Sequence, residues 1–187
     1  MRLTTTNPNE LSEEQKALYQ DMKKGIETNF KGFKAISDSG ALIGPWNPWL
    51  KFPKFGAPMW ELVKTLSMSP VLPKPVREIA ILAVGAKFHA PYELYAHILM
   101  AEARGLNDKV ISTIVAGQRP NFDLDTDEGL AYDLTSSLLS GGILPELLYN
   151  QSLAHFGEEG TFELIYLIGL YCMVCLTLNG FDVPVPE

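Results

Sequence analysis

Pro75-Val76-Arg77-Glu78-Ile79-Ala80-Ile81-Leu82-Ala83-Val84-Gly85-Ala86-Lys87-Phe88 is the stretch on which the fold turns. After Arg77 and Glu78 come eight apolar or glycine residues, Ile79 to Ala86, so a helix here is apolar nearly all round and belongs at the centre of a bundle. Pro75 suits a first helical turn, where its missing N–H costs nothing. The spacing predicts a helix over 76–88, with Glu78 near its N-terminal end gaining ~0.3–1 kcal/mol from the helix dipole.

Working outward, Pro91 opens a second helix that closes at Gly105, a C-capping glycine, and a short helix follows to Gly117. Asp125 or Thr126 caps the next, which ends at Gly141-Gly142; Pro145 starts another that ends near Gly157, and Thr161 to Leu178 forms the last. Toward the N-terminus, a helix over 59–68 is ended by the Pro70 to Pro75 stretch. Ser12-Glu13-Glu14-Gln15 is a capping-box pattern opening a polar amphipathic helix to about Asn29, with Leu18 and Met22 on one face, expected on the outside. From Gly40 to Pro58 the chain reads as a rigid aromatic loop, and its Trp46 and Trp49 either pack on the core or wall a ligand pocket. No region alternates apolar and polar for long. The expectation is an all-α single domain of about eight helices, residues 1–57 supplying an N-terminal helix and the aromatic loop and residues 58–187 the helical unit.

At 187 residues, 47% hydrophobic and 20% charged, the chain has enough apolar material for one core without disulfides. Its net charge of −7 and lack of a basic run argue against nucleic acid as a partner. The longest uncharged stretch, Leu164 to Leu178, is 15 residues, short of the ~20 of a membrane span, and is read as a core helix. Cys172 and Cys175 both lie within it, away from the basic or helix-N-terminal setting that activates a thiol. With no secretory-type apolar leader at the N-terminus, a cytoplasmic location and no membrane partner are expected.

Glu93 and His97 are four residues apart on one helix, so their side chains share a face. By geometry they form an acid/base pair, in apolar surroundings (Tyr92, Leu94, Tyr95, Ile98) able to move either pKa toward neutrality. The alternative is a surface pair worth ~0.3–0.5 kcal/mol. Glu78 is a third ionisable group on an apolar helix and needs a partner; His97 supplies it if the two helices pack antiparallel, and Arg77 or a lysine is the competing choice. His89 and His155 sit near helix ends and read as structural, and the three histidines show no metal-ligand spacing. Of the nearby cations Arg77, Lys87 and Arg104, Arg77 is the expected clamp for a substrate carboxylate.

Arg77-Glu78-Ile79-Ala80-Ile81-Leu82, then Tyr92-Glu93, His97 and Gly105-Leu106, resemble the carboxymuconolactone decarboxylase family over about residues 60–118. The resemblance implies the AhpD-like helical fold and assembly into trimers or hexamers. Its peroxidase branch is marked by a Glu, a Cys-x-x-Cys pair and a His four residues beyond the second Cys. Carried over by position, the Glu falls on Glu78 and the His on His97, but the cysteine positions hold Ala90 and Glu93, which excludes disulfide chemistry there. What the resemblance then implies is the decarboxylase-type arrangement, without metal or cofactor. His97 would be general acid/base on a small carboxylated lactone or related carbon acid, oriented by Glu93 or Glu78, with Arg77 or a tyrosine hydroxyl such as that of Tyr92 on the substrate carboxylate. An isomerase or cyclase using the same pair, and a non-catalytic oligomer that binds a small ligand, remain open alternatives. Apolar area on the 76–88 and 161–178 helices also suggests homo-oligomerisation.

Overall fold

The computed structural model describes residues 1–68, 70–123 and 125–186, Met68 by its backbone alone. Eight α-helices are present among them: α1 Glu13–Asn29, α2 Trp46–Lys51, α3 Pro53–Met68, α4 Lys74–Phe88, α5 Pro91–Ala103, α6 Asp108–Val115, α7 Asp127–Leu139 and α8 Glu146–Gly180. The extended structure in the same residues amounts to one isolated bridge, Ile36 to Leu42. All-α is therefore the observed class.

The apolar run does what its composition demands. α4 is buried from Val76 to Ala86 and touches α5, α6, α7 and α8, so it forms the axis around which the others pack. Gly85 is what lets α5 approach so closely: a Cβ there would stand 3.0 Å from Leu94 Cδ2 and 3.6 Å from Glu93 Cγ. The capping box at Ser12 forms as read, with Gln15 returning a bond to the Ser12 N–H. α1 buries Leu18, Tyr19, Met22 and Ile26 against α2 and α3 and is half covered rather than merely peripheral.

The aromatic stretch departs from the loop expected of it. Trp46–Lys51 is helical, and α3 starts at Pro53, before the expected onset at 59. Pro48 and Pro53 fall in the first turns of their helices, where no N–H is needed, so proline here starts helices instead of breaking them. Pro58 lies inside α3, and the boundary drawn at 57/58 consequently runs through a helix. Gly56 holds α3 against the preceding turn, since a Cβ there would lie 2.0 Å from the Trp49 carbonyl oxygen. Gly157, at φ 70° and ψ −177°, is non-helical and kinks α8, so the break falls where the sequence places the end of one C-terminal helix, and α8 is two helices joined at that kink.

Two apolar clusters result. One gathers α1 to α3 with the end of α8; the other surrounds α4. Tyr171 of α8 packs against both, and the ionisable residues singled out in the sequence lie beside it.

Candidate active site

α4 and α5 are joined by a tight turn in which His89 takes the left-handed conformation and Ala90 caps α5. This hairpin lays Glu78 opposite His97. His97 Nδ1 is 2.8 Å from Glu78 Oε2, and Glu78 Oε1 accepts a hydrogen bond from the Arg104 guanidinium. Glu78 is the fifth residue of α4 and fully buried, one turn beyond the dipole-exposed position expected of it. Its charge is met by Arg104, seven residues after His97 and on the same face of the α5 segment.

The imidazole's other nitrogen faces Glu93. Nε2 and Glu93 Oε1 are 3.1 Å apart, yet the geometry falls short of a hydrogen bond, and Glu93 Oε1 is buried without a partner. Burial pushes the Glu93 carboxyl above its ordinary pKa, against the opposing influence of His97. Burial likewise holds His97 below the ordinary histidine value, against the pull of Glu93. The protonation pattern follows. Glu78, already paired with a guanidinium, can only accept, so a neutral imidazole carries its hydrogen on Nδ1 and presents a bare Nε2 to a Glu93 carboxyl whose burial favours the protonated form. Burial thus favours the protonated carboxyl and the neutral imidazole, the combination of acid and base that general acid–base chemistry uses.

Glu93 and His97 open onto a small cavity walled by Phe30, Phe33, Trp46, Trp49, Tyr92 and Tyr171. It offers about 30 Å³ to the centre of a water molecule, room for one or two waters. Trp46 Nε1–H, like Glu93 Oε1, is buried and unpartnered, which leaves this apolar chamber one spare donor and one spare carboxyl oxygen. The aromatic cover is fastened from α5: the Tyr92 hydroxyl donates to the Lys34 carbonyl at 3.1 Å, and the Lys34 N–H donates to the Tyr95 hydroxyl at 3.0 Å. Tyr171 meets the His97 ring edge-on at 5.1 Å, and its hydroxyl is kept protonated by burial.

The residues singled out from the sequence thus separate. Glu78, Glu93 and His97 come together, and Trp46, Trp49 and Tyr92 wall the chamber beside them. Arg77 does not sit free as a clamp: its guanidinium is bonded to Glu163 of α8 in a buried ion pair, whose other carboxylate oxygen accepts from the Val71 N–H at 2.6 Å. Arg104 and Tyr171 were not assigned to the site from the sequence. Arg104 had a usable signal in its helical spacing from His97; Tyr171 had none, since only packing brings α8 to α5. Cys175 is near enough to Glu93 for that carboxyl to raise its thiol pKa further, burial being the larger cause. His155 lies elsewhere, 2.9 Å from Asp127.

No protein-family model and no curated protein matches the chain. Solved structures do. One is a Cys-to-Ala variant of the debrominase Bmp8 in complex with 2,3,4-tribromopyrrole, at TM-score 0.73 and 14% identity, covering 100% of this chain and 94% of that one. Unliganded Bmp8 matches at 0.71 and 13%, covering 95% and 90%. A protein of unknown function from Agrobacterium tumefaciens, described as a candidate antioxidant defence protein AhpD, matches at 0.64 and 15%, covering 75% and 97%. The chain has the AhpD-like fold.

Proposed function

We propose that this chain is a cofactor-independent acid–base enzyme, decarboxylase-like, acting on a small carboxylated lactone or related carbon acid. The observation that carries the reading is the pairing, beside a small aromatic-walled cavity, of an imidazole oriented by Glu78 with a Glu93 carboxyl that has no other protein partner. The Glu93 carboxyl has no structural reason to be there, since an unpartnered buried carboxyl oxygen costs stability.

In a decarboxylation the C–C bond to the leaving carboxylate breaks and its electron pair stays on the ring as an enolate. Glu93 delivers its proton to that carbon, and a solvent proton taken up at the bare His97 Nε2 is then passed to the Glu93 carboxylate, which restores the starting state. In an isomerisation His97 Nε2 removes a proton from one carbon and Glu93 returns one to another. The Tyr171 hydroxyl and Trp46 N–H are the donors available to a developing oxyanion. A substrate larger than two waters enters only if the aromatic cover fastened at Lys34 gives way. Thiol chemistry of the disulfide kind has no support: Ala90 and Glu93 carry no sulfur, and burial raises the pKa of both Cys172 and Cys175.

A mass-spectrometric screen of the purified chain against small carboxylated lactones tests this directly, scoring carbon dioxide release separately from isomerisation. Turnover of either kind is the expected outcome. Binding with neither product would replace the enzyme reading by that of a small-ligand carrier.

Homo-oligomerisation is proposed on a narrower basis than the sequence suggested. α4 has no apolar face to spare. On α8, by contrast, Phe162, Tyr166, Met173 and Leu176 are exposed and, with the open Gly169, recur at alternating spacings of four and three, the period of a helix-pairing seam. Light scattering after size exclusion is expected to give a multimer, and the pair Phe162→Glu with Leu176→Glu a monomer. A monomeric wild type would defeat the proposal.

A further inference from the structure

A second cavity adjoins His97, on the side of Glu78 and Arg104. It offers about 120 Å³ and is lined by three cations, Lys74, Arg77 and Arg104, along with Glu78, Ser67 and Asn29. Arg77 is balanced by Glu163 and Arg104 by Glu78. Lys74 has no carboxylate within ion-pair distance among the described residues, so with a neutral imidazole the cavity keeps one unopposed positive charge. Lys74 is also the first residue of α4, whose N-terminus has no side-chain cap, so the positive end of the helix dipole adds to it.

The donors are in surplus as well. A guanidinium carries five N–H donors in a planar fork. Arg77 and Arg104 each give one to a carboxylate, and among the described residues neither makes another side-chain hydrogen bond. Arg77 is more than nine-tenths buried and lines the cavity with the donors that Glu163 leaves free. A planar carboxylate of single charge matches both the excess charge and the fork geometry. The arrangement also explains how Arg77 contributes without being free: Glu163 fixes its guanidinium in place at the cavity wall.

We propose that the cavity lined by Lys74, Arg77 and Arg104 is an anion subsite that takes the carboxylate of the substrate handled at His97. That the anion belongs to the substrate rests on the acid–base reading above; that the cavity binds a carboxylate does not.

The test titrates the full chain with benzoate and with benzamide, its neutral counterpart, by calorimetry. Benzoate is expected to bind with a Kd of about 1 mM or tighter. Benzamide and the Lys74→Glu variant with benzoate should each bind at least about tenfold more weakly. Lys74 is exposed and makes no ion pair among the described residues, so the variant is expected to keep the wild-type circular dichroism spectrum. His97→Gln should retain benzoate binding, which separates the two ideas: an active His97→Gln enzyme would remove the acid–base reading and leave the anion subsite standing. Equal binding of benzoate and benzamide, unchanged affinity in Lys74→Glu, or no benzoate binding at about 10 mM would each overturn the subsite.

Discussion

His97→Gln is expected to lower turnover by about 10²–10⁴-fold on the compound that the lactone screen identifies, the usual worth of one positioned proton-transfer group. The fold should survive. A glutamine amide is short enough for the same space and can donate to Glu78 Oε2 as Nδ1–H does, so the buried Glu78–Arg104 pair keeps its third member. What the amide lacks is a basic nitrogen facing Glu93. Loss of kcat with an unchanged melting temperature is the signature sought; undiminished turnover would remove His97 from the mechanism.

Glu93→Gln is expected to make the protein more stable as it becomes less active. Glu93 is buried and its pKa lies above the ordinary 4.5, so the folded protein holds that proton more tightly than the unfolded chain does. Such a contribution is fully present below the unfolded pKa and is lost as pH rises through the folded one. His97 has the opposite sign: its pKa lies below the ordinary 6.5, and the stability it confers is present above that value and lost as pH falls through the folded pKa. Glutamine cannot ionise, so the variant escapes the Glu93 penalty alone. Its advantage over wild type should be smallest near pH 4 and grow toward pH 8, reaching about 1–3 kcal/mol, the cost of one unsatisfied buried polar group. For a chain of this size that is roughly 2–4 °C in Tm per kcal/mol. Urea denaturation at the two pH values measures it. A gain independent of pH would show that Glu93 is not held protonated, and the acid role would go with it. A residue that lowers stability while sitting at the reacting centre is the usual mark of function traded against folding.

The helical class was legible because it depends on local pattern. An eight-residue apolar run beginning after Glu78 has no place except the middle of a bundle, and the capping box at Ser12, Gly105 just past the Arg104 cap of α5 and the cap at Thr126 mark ends whose chemistry lies within a few residues. Glu93 and His97 were legible as a pair for the same reason, since helical spacing alone puts them on one face. Local pattern placed the helix starts at Pro75, Pro91 and Pro145 and misled only between Gly40 and Pro58. Pro48, Pro53 and Pro58 read as part of a loop because the sequence does not say which turn of a helix a proline will occupy.

The sequence by itself determined an all-α chain, an acidic surface, a carboxyl–imidazole pair on α5 and the absence of a thiol at Ala90 and Glu93. Only the tertiary structure decided who neutralises whom. Arg77 is next to Glu78 in sequence and Arg104 is 26 residues from it, yet Arg77 turns to Glu163, 86 residues away, and Arg104 to Glu78. The same packing left Glu93 Oε1 without a partner and set Tyr171 against the imidazole. The physical reason is range. Helix propensity, capping and spacing act over a turn or two of chain, whereas the burial that shifts a pKa and the partner that compensates a charge come from whichever helices pack around α4.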